Sequence, residues 1–191
     1  MTRVPIGIVD RPLLIARWLP RRDLHDVTTV VLHCTELPTL KEARRTARRS
    51  LRLRPHPSYV AGHFYIDRDG WIERWVLEDR IVDHVTGHNR TSVGIELVNR
   101  GRFPDWYNSE AQEPMEDYPA AQVTATLGLL DALARRLPAA TTLVRHSDLD
   151  QRLVPATDDA SRQVRRRIDP GPRFPWQSVQ ARWEESLNDK G

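Results

Sequence analysis

The stretch "SVGIELVN", Ser92 to Asn99, decides how the rest of the chain is read. It is a short, nearly unbroken apolar run with β-branched residues, the length of a strand and too short for a helix of its own. Apolar runs without alternation belong to strands covered on both faces, which places this one in the interior of a sheet. "TTVVLHC", Thr28 to Cys34, is a second run of the same kind. Glu96 is the exception inside the first. Burying an unpaired carboxylate is costly, so Glu96 either reaches solvent at the strand end or is kept there for chemistry.

Working outward, "HFYIDRDGWIERWV" (His63 to Val76) reads as a hairpin with "RDG" at its turn, and "TTLVRH" (Thr141 to His146) as a later strand. The firmest helix is "PAAQVTATLGLLDALARRL", Pro119 to Leu137, where Val123, Leu127, Leu130, Ala134 and Leu137 recur at helical spacing and Pro119 suits the first position. Leu40 to Leu53 and Trp176 to Leu187 are weaker helices. Strands interleaved with helices predict an α/β fold, a central mixed sheet flanked by helices on both faces. Gly101 to Tyr118 and Ser147 to Ser161 have loop composition, and irregular segments of that length are where a site is sought.

The 191 residues suit one domain, and 39% hydrophobic with 29% charged residues fits a globular chain rather than a disordered or membrane one. A net charge of +3 names no partner. Basic residues do cluster, at Lys41 to Arg54 and at Arg162 to Arg167; a solvated helix face is the simpler reading of the first, attraction of an anion the sharper one. A nucleic-acid partner would need a basic groove with stacking aromatics, which is not evident. The lone Cys34 excludes an intrachain disulfide framework. The opening residues hold no secretory core and no membrane span, so the chain is expected in the cytoplasm, or in the periplasm if a leader has been removed.

Three polar residues close or flank rigid elements: His33 ends "VVLH", His146 ends "LVRH", and Asp169 precedes Pro170-Gly171-Pro172 in "RRRIDPGPRF". The prolines fix φ on either side, and Pro170 biases Asp169 toward an extended conformation. Two histidines and a carboxylate make a catalytic zinc set with the fourth position open to water. They lie 113 and 23 positions apart, with no compact motif, and any one histidine alone is more often a structural residue. His63 is a ligand by type or a wall residue; His88 reads as a loop residue; Asp67, Arg68 and Asp69 are turn chemistry.

Taken in order, "VVLHCTE", "GHFYIDRDGWIERWV", "DHVTGHNRTSVGIELVNRG", "RHSDLD" and "IDPGPRFPW" resemble the zinc N-acetylmuramoyl-L-alanine amidases of the AmpD type, whose fold is shared with peptidoglycan recognition proteins. The resemblance implies zinc on His33, His146 and Asp169, with Glu96 as catalytic glutamate. It further implies that His84 lines the substrate groove and that Asn89 orders a loop or meets substrate. The substrate it implies is peptidoglycan or a muropeptide, cut between N-acetylmuramic acid and L-alanine, in cell-wall turnover and recycling. Two departures stand out. Arg167 replaces the family's usual lysine and keeps the charge for an oxyanion but not a proton to give; Gly62 stands where some relatives carry tyrosine before the hairpin histidine. The segment between His146 and Asp169 is also longer than in the shortest members. A non-catalytic peptidoglycan-binding module is the alternative, and it would have little use for the complete ligand set.

Overall fold

The structure, a computed structural model, describes residues 7–50, 60–114 and 116–189. Eight strands and four helices follow the chain: β1 (Ile8–Asp10), β2 (Thr29–Cys34), α1 (Leu40–Ser50), β3 (Phe64–Ile66), β4 (Ile72–Arg74), β5 (Ser92–Leu97), α2 (Ala120–Arg136), β6 (Thr142–Arg145), α3 (His146–Leu149), β7 (Leu153–Pro155), β8 (Gln163–Arg165) and α4 (Trp176–Asn188). Six of the strands form one sheet in the order β1-β4-β3-β5-β2-β6. All its pairings are parallel except β3 with β4, the hairpin that "RDG" announces. The sheet is therefore mixed, and the two uniformly apolar runs are interior neighbours.

Side chains alternate across a strand, and here the alternation sorts the molecule. Val30 and Leu32 of β2, Phe64 and Ile66 of β3, and Val93, Ile95 and Leu97 of β5 face α2 and α4, forming the larger core with Leu129, Leu130, Leu133, Val179 and Trp183. Removing such a side chain, Leu129→Ala for example, costs about 2–5 kcal/mol. The other face packs on α1 through Ala43 and Ala47, with Tyr65, Trp75 and Val76. Helices thus cover both faces, as expected from two strands without polar alternation.

Several boundaries moved. Pro119 is the N-cap of α2, with extended ψ of 148°, rather than its first helical residue. Ser147 to Ser161 is not wholly loop: its start completes α3, and β7 pairs with β8 in a separate two-stranded antiparallel sheet. Three-residue strands ending at a proline carry too little pattern to stand out from a loop. The expected helix Leu40 to Leu53 is present to Ser50, and its residues 51–53, with Arg52 and Arg54 of the basic cluster, lie outside the described residues.

Candidate active site

Parallel strands place their carboxyl ends along one edge, and binding crevices form there. Register brings a row of polar residues abreast: His33 of β2 pairs with Glu96 of β5, Glu96 pairs with Tyr65 of β3, and Tyr65 pairs with Glu73 of β4. His146 joins the row from the edge, because Arg145 pairs with Leu32 and His146 follows it.

Asp169 enters from the far end of the chain, its carbonyl accepting from Ser147 N–H at 3.1 Å. His33 Nδ1 lies 2.9 Å from His146 Nδ1 and 3.4 Å from Asp169 Oδ2, and His146 Nδ1 lies 2.9 Å from the same oxygen. Ligand atoms bound tetrahedrally at about 2.0–2.1 Å lie about 3.3 Å from one another, so three buried donor atoms converge at the spacing of a metal cage. Asp169 Oδ1 is buried without a partner, and its carboxyl, despite burial, is held far below the usual range by the two histidines. The donor set and the orphaned oxygen fit a divalent cation.

Hydrogen bonds behind the trio set the tautomers. His84 Nε2 faces Ser92 O at 3.4 Å and Ser92 Oγ at 3.1 Å, while that Oγ donates to His88 O. A carbonyl can only accept, so His84 carries its proton on Nε2 and its Nδ1 accepts from His33 Nε2 at 3.0 Å. His33 Nδ1 is left with a free lone pair aimed at the other two ligands. Burial first, then the neighbouring His146, push His33 down to about 4, leaving it in the neutral state that holding a metal would require. The resemblance implied a groove position for His84; the structure buries it beneath Gly94, where an added Cβ would come within 2.6 Å of His84 Nδ1. Asn89 stands off from the trio. Its Oδ1 accepts from His84 and Val85 N–H at 3.0 and 2.8 Å and its Nδ2 donates to Asp83, so both ends of the amide serve the loop. His63 is structural: fully buried, it accepts from Gly94 N–H at 3.1 Å and meets Arg22 and the Arg80 carbonyl.

Glu96 lines a pocket of about 110 Å³ with Thr35, Leu37, Ala43, Ala61 and Tyr65. Burial raises its carboxyl to about 8; the Asp169 charge adds to the rise, Arg167 opposes it, and Glu36 adds a little more. A carboxylic group so tuned is suited to proton transfer near neutrality. The Gly62 departure has a steric reason, since a Cβ there would sit 2.5 Å from Glu96 Cγ. Tyr65 fills in from the next strand position on this face, its hydroxyl accepting from Gly62 N–H at 2.9 Å.

Arg167 approaches Glu36 Oε2 at 4.0 Å and keeps a buried Nε without a partner. Glu36 itself is gripped by Arg102, with Nε at 2.7 Å and Nη2 at 3.0 Å from its two oxygens. Arg102 also donates to the carbonyls of Arg165 and Arg166 at 2.8 and 3.2 Å, tying the loop after β2 and the loop after β5 to the segment that carries Arg167 and Asp169. Glu36, Arg102 and Tyr65 escaped the sequence reading. The one trace of them was a glutamate directly after "HCT", which looks like any loop acid.

Known proteins resemble this chain in sequence and in fold. The family model described as N-acetylmuramoyl-L-alanine amidase matches residues 23–172. The endolysin of Enterobacteria phage K11 is 34% identical over 99 residues, an alignment covering 52% of this chain and 60% of that protein. Among solved structures, the N-acetylmuramoyl-L-alanine amidase LysC from Clostridium intestinale superposes with a TM-score of 0.63 at 24% identity, covering 93% of this chain and 97% of that one. AmiD from Escherichia coli, solved with the substrate anhydro-N-acetylmuramic acid-L-Ala-D-γ-Glu-L-Lys, superposes at 0.61 and 23%, covering 82% of this chain and 57% of that one. At such identities the structural likeness is one of fold. The family model, which spans most of the chain and includes His33, His146 and Asp169, makes this chain a member of the N-acetylmuramoyl-L-alanine amidase family.

Proposed function

We propose that the protein is a zinc amidase that hydrolyses the amide between the lactyl group of N-acetylmuramic acid and L-alanine in peptidoglycan or its muropeptide fragments. The observation that carries this is the abreast pairing of Glu96 with His33, a proton acceptor raised to about 8 one strand from a ligand trio. Family membership and the substrate bound in the AmiD structure support the choice of bond.

His33, His146 and Asp169 would hold the ion. Zinc in such a set acidifies water and polarises a carbonyl. Glu96 takes the proton of the attacking water and returns it to the departing amine of L-alanine, which needs one carboxyl to act first as base and then as acid. Arg167 stabilises the developing oxyanion through a charge that never leaves it. His84 holds the His33 ring in its ligating tautomer, and Asn89 fixes the loop that presents His84. No helix among the described residues is long and apolar enough to cross a membrane.

The test is to incubate the protein with anhydro-muropeptides and, separately, with intact sacculi, with and without a chelator, and to identify products by mass spectrometry. Chelator-sensitive release of peptides beginning with L-alanine is expected; none from either substrate sinks the proposal. The substrate cut also separates two settings: recycling of soluble fragments in the cytoplasm, and action on the wall itself.

A further inference from the structure

The basic run Arg162 to Arg167 is not a uniform solvated face. Arg162 pairs with Glu110 and Arg166 with Asp150. Arg165 and Arg167 instead line a cleft of about 260 Å³ with Arg145, Ser147 and Pro172, beside Asp169. The cleft shares Arg145 and Pro172 with a larger one of about 470 Å³ that reaches Trp176 at the start of α4.

Of its three guanidinium groups, one is neutralised on the spot. Arg145 makes two hydrogen bonds to the Asp148 carboxylate, at 3.0 and 2.8 Å, and lies over the Trp176 ring at 5.3 Å. The Arg165 side chain has, among the described residues, a single hydrogen bond, from Nη2 to Ser147 O at 2.9 Å, and no carboxylate partner. Arg167 has only the distant edge of Glu36, at 4.0 Å, a carboxylate already gripped by Arg102. Both line the same opening, so two under-compensated cations face it. Like charges so placed repel, and an anion between them relieves the repulsion with charge-assisted, fork-shaped hydrogen bonds.

We propose that this cleft is a carboxylate subsite, with Arg165 its principal contact, that receives an acidic group of the substrate's peptide stem. The proposal rests on the amidase reading above and adds to it a determinant of substrate choice. A stem peptide leads away from the scissile amide and carries free carboxylates within a residue or two of it, which matches a cationic cleft adjoining Asp169.

Two synthetic substrates test it: N-acetylmuramoyl-L-Ala-D-Glu, and the same compound with both peptide carboxylates converted to carboxamides. The intact protein should show a KM about tenfold lower for the acid, the effect of one partly exposed charge-assisted hydrogen bond. In Arg165→Gln the KM for the acid should rise to meet that of the amide. Equal KM values in the unmodified protein overturn the subsite, as does an Arg165→Gln shift of the same size on both substrates. If neither compound is cleaved, calorimetric titration of the full chain with each compound decides the subsite: tighter binding of the acid supports it, equal binding overturns it; the amidase reading is decided separately, on anhydro-muropeptides and sacculi.

Discussion

The Nδ1 atoms of His33 and His146 lie 2.9 Å apart across 113 positions of sequence. With the His33 proton on the far nitrogen, that lone pair points into a buried space already holding the Asp169 carboxylate. A cation is the occupant that satisfies all three at once. Metal should therefore stabilise the fold: at a free concentration near 100 times its Kd, zinc should add about 2.7 kcal/mol, a rise in Tm of about 5–10 °C for a chain of this size. Calorimetry with zinc and with chelator measures it, and a Tm indifferent to both contradicts the ligand assignment.

Glu96→Gln separates binding from chemistry. Metal affinity should persist while turnover falls by about 10²–10⁴, the usual contribution of a positioned acid–base group. The same variant reads the carboxyl's discomfort. A group raised from 4.5 to about 8 in the fold contributes stability that is complete below 4.5 and is lost as pH climbs toward 8. In chelated protein, Glu96→Gln should match the parent near pH 4.5 and exceed it by about 1–3 kcal/mol at alkaline pH; parallel stability curves would exclude the raised value.

His84→Phe keeps bulk beneath Gly94 and removes the acceptor for His33 Nε2. Loss of such an outer partner lowers metal affinity about 10–100-fold, measurable by competition with a chromophoric chelator. An unchanged affinity means that the His84 contact with His33 is packing only.

Arg167→Ala should cut kcat by about 10²–10³, as loss of an oxyanion contact does, with a smaller change in KM. Arg167→Lys reports on the departure from the family's lysine: turnover well above the parent's would mean that arginine is the poorer fit at this position.

Glu36 and Arg102 form a pair in which both side chains are almost fully buried. Glu36→Gln leaves the Arg102 charge without its counterion, and breaking a buried pair this way costs about 3–5 kcal/mol. Replacing both, Glu36→Gln with Arg102→Met, should recover part of that loss. Chemical denaturation of the single and double variants measures the coupling.

The central sheet was legible because β2 and β5 carry their apolar residues on both faces, and the hairpin because "RDG" makes a turn without help from elsewhere. His33 was legible as the near-last residue of such a strand, and His146 at the end of a shorter one, although the structure ends β6 at Arg145 and makes His146 the first residue of α3. What stayed hidden depends on partners distant in sequence. Arg102 meets Glu36 66 positions away; Tyr65 reads as one more strand aromatic until register sets it beside Glu96; and the contact of His84 with His33, beneath Gly94, is invisible in sequence even though the resemblance gives His84 a place in the groove. The strands β1, β7 and β8 are three residues each, too short to show a period.

The alternation along β2 and β5 has a consequence for how this protein can change. Leu32 and Ile95 lie on one side of the sheet, and His33 and Glu96, the residues that directly follow them in sequence, lie on the other. Persistence of the fold and rate of reaction are thus written on opposite sides of the same few residues. Substitutions on the side facing α2 and α4 bear first on stability, while new substrate preferences are easier to reach in the surrounding loops than at the buried positions of β2 and β5.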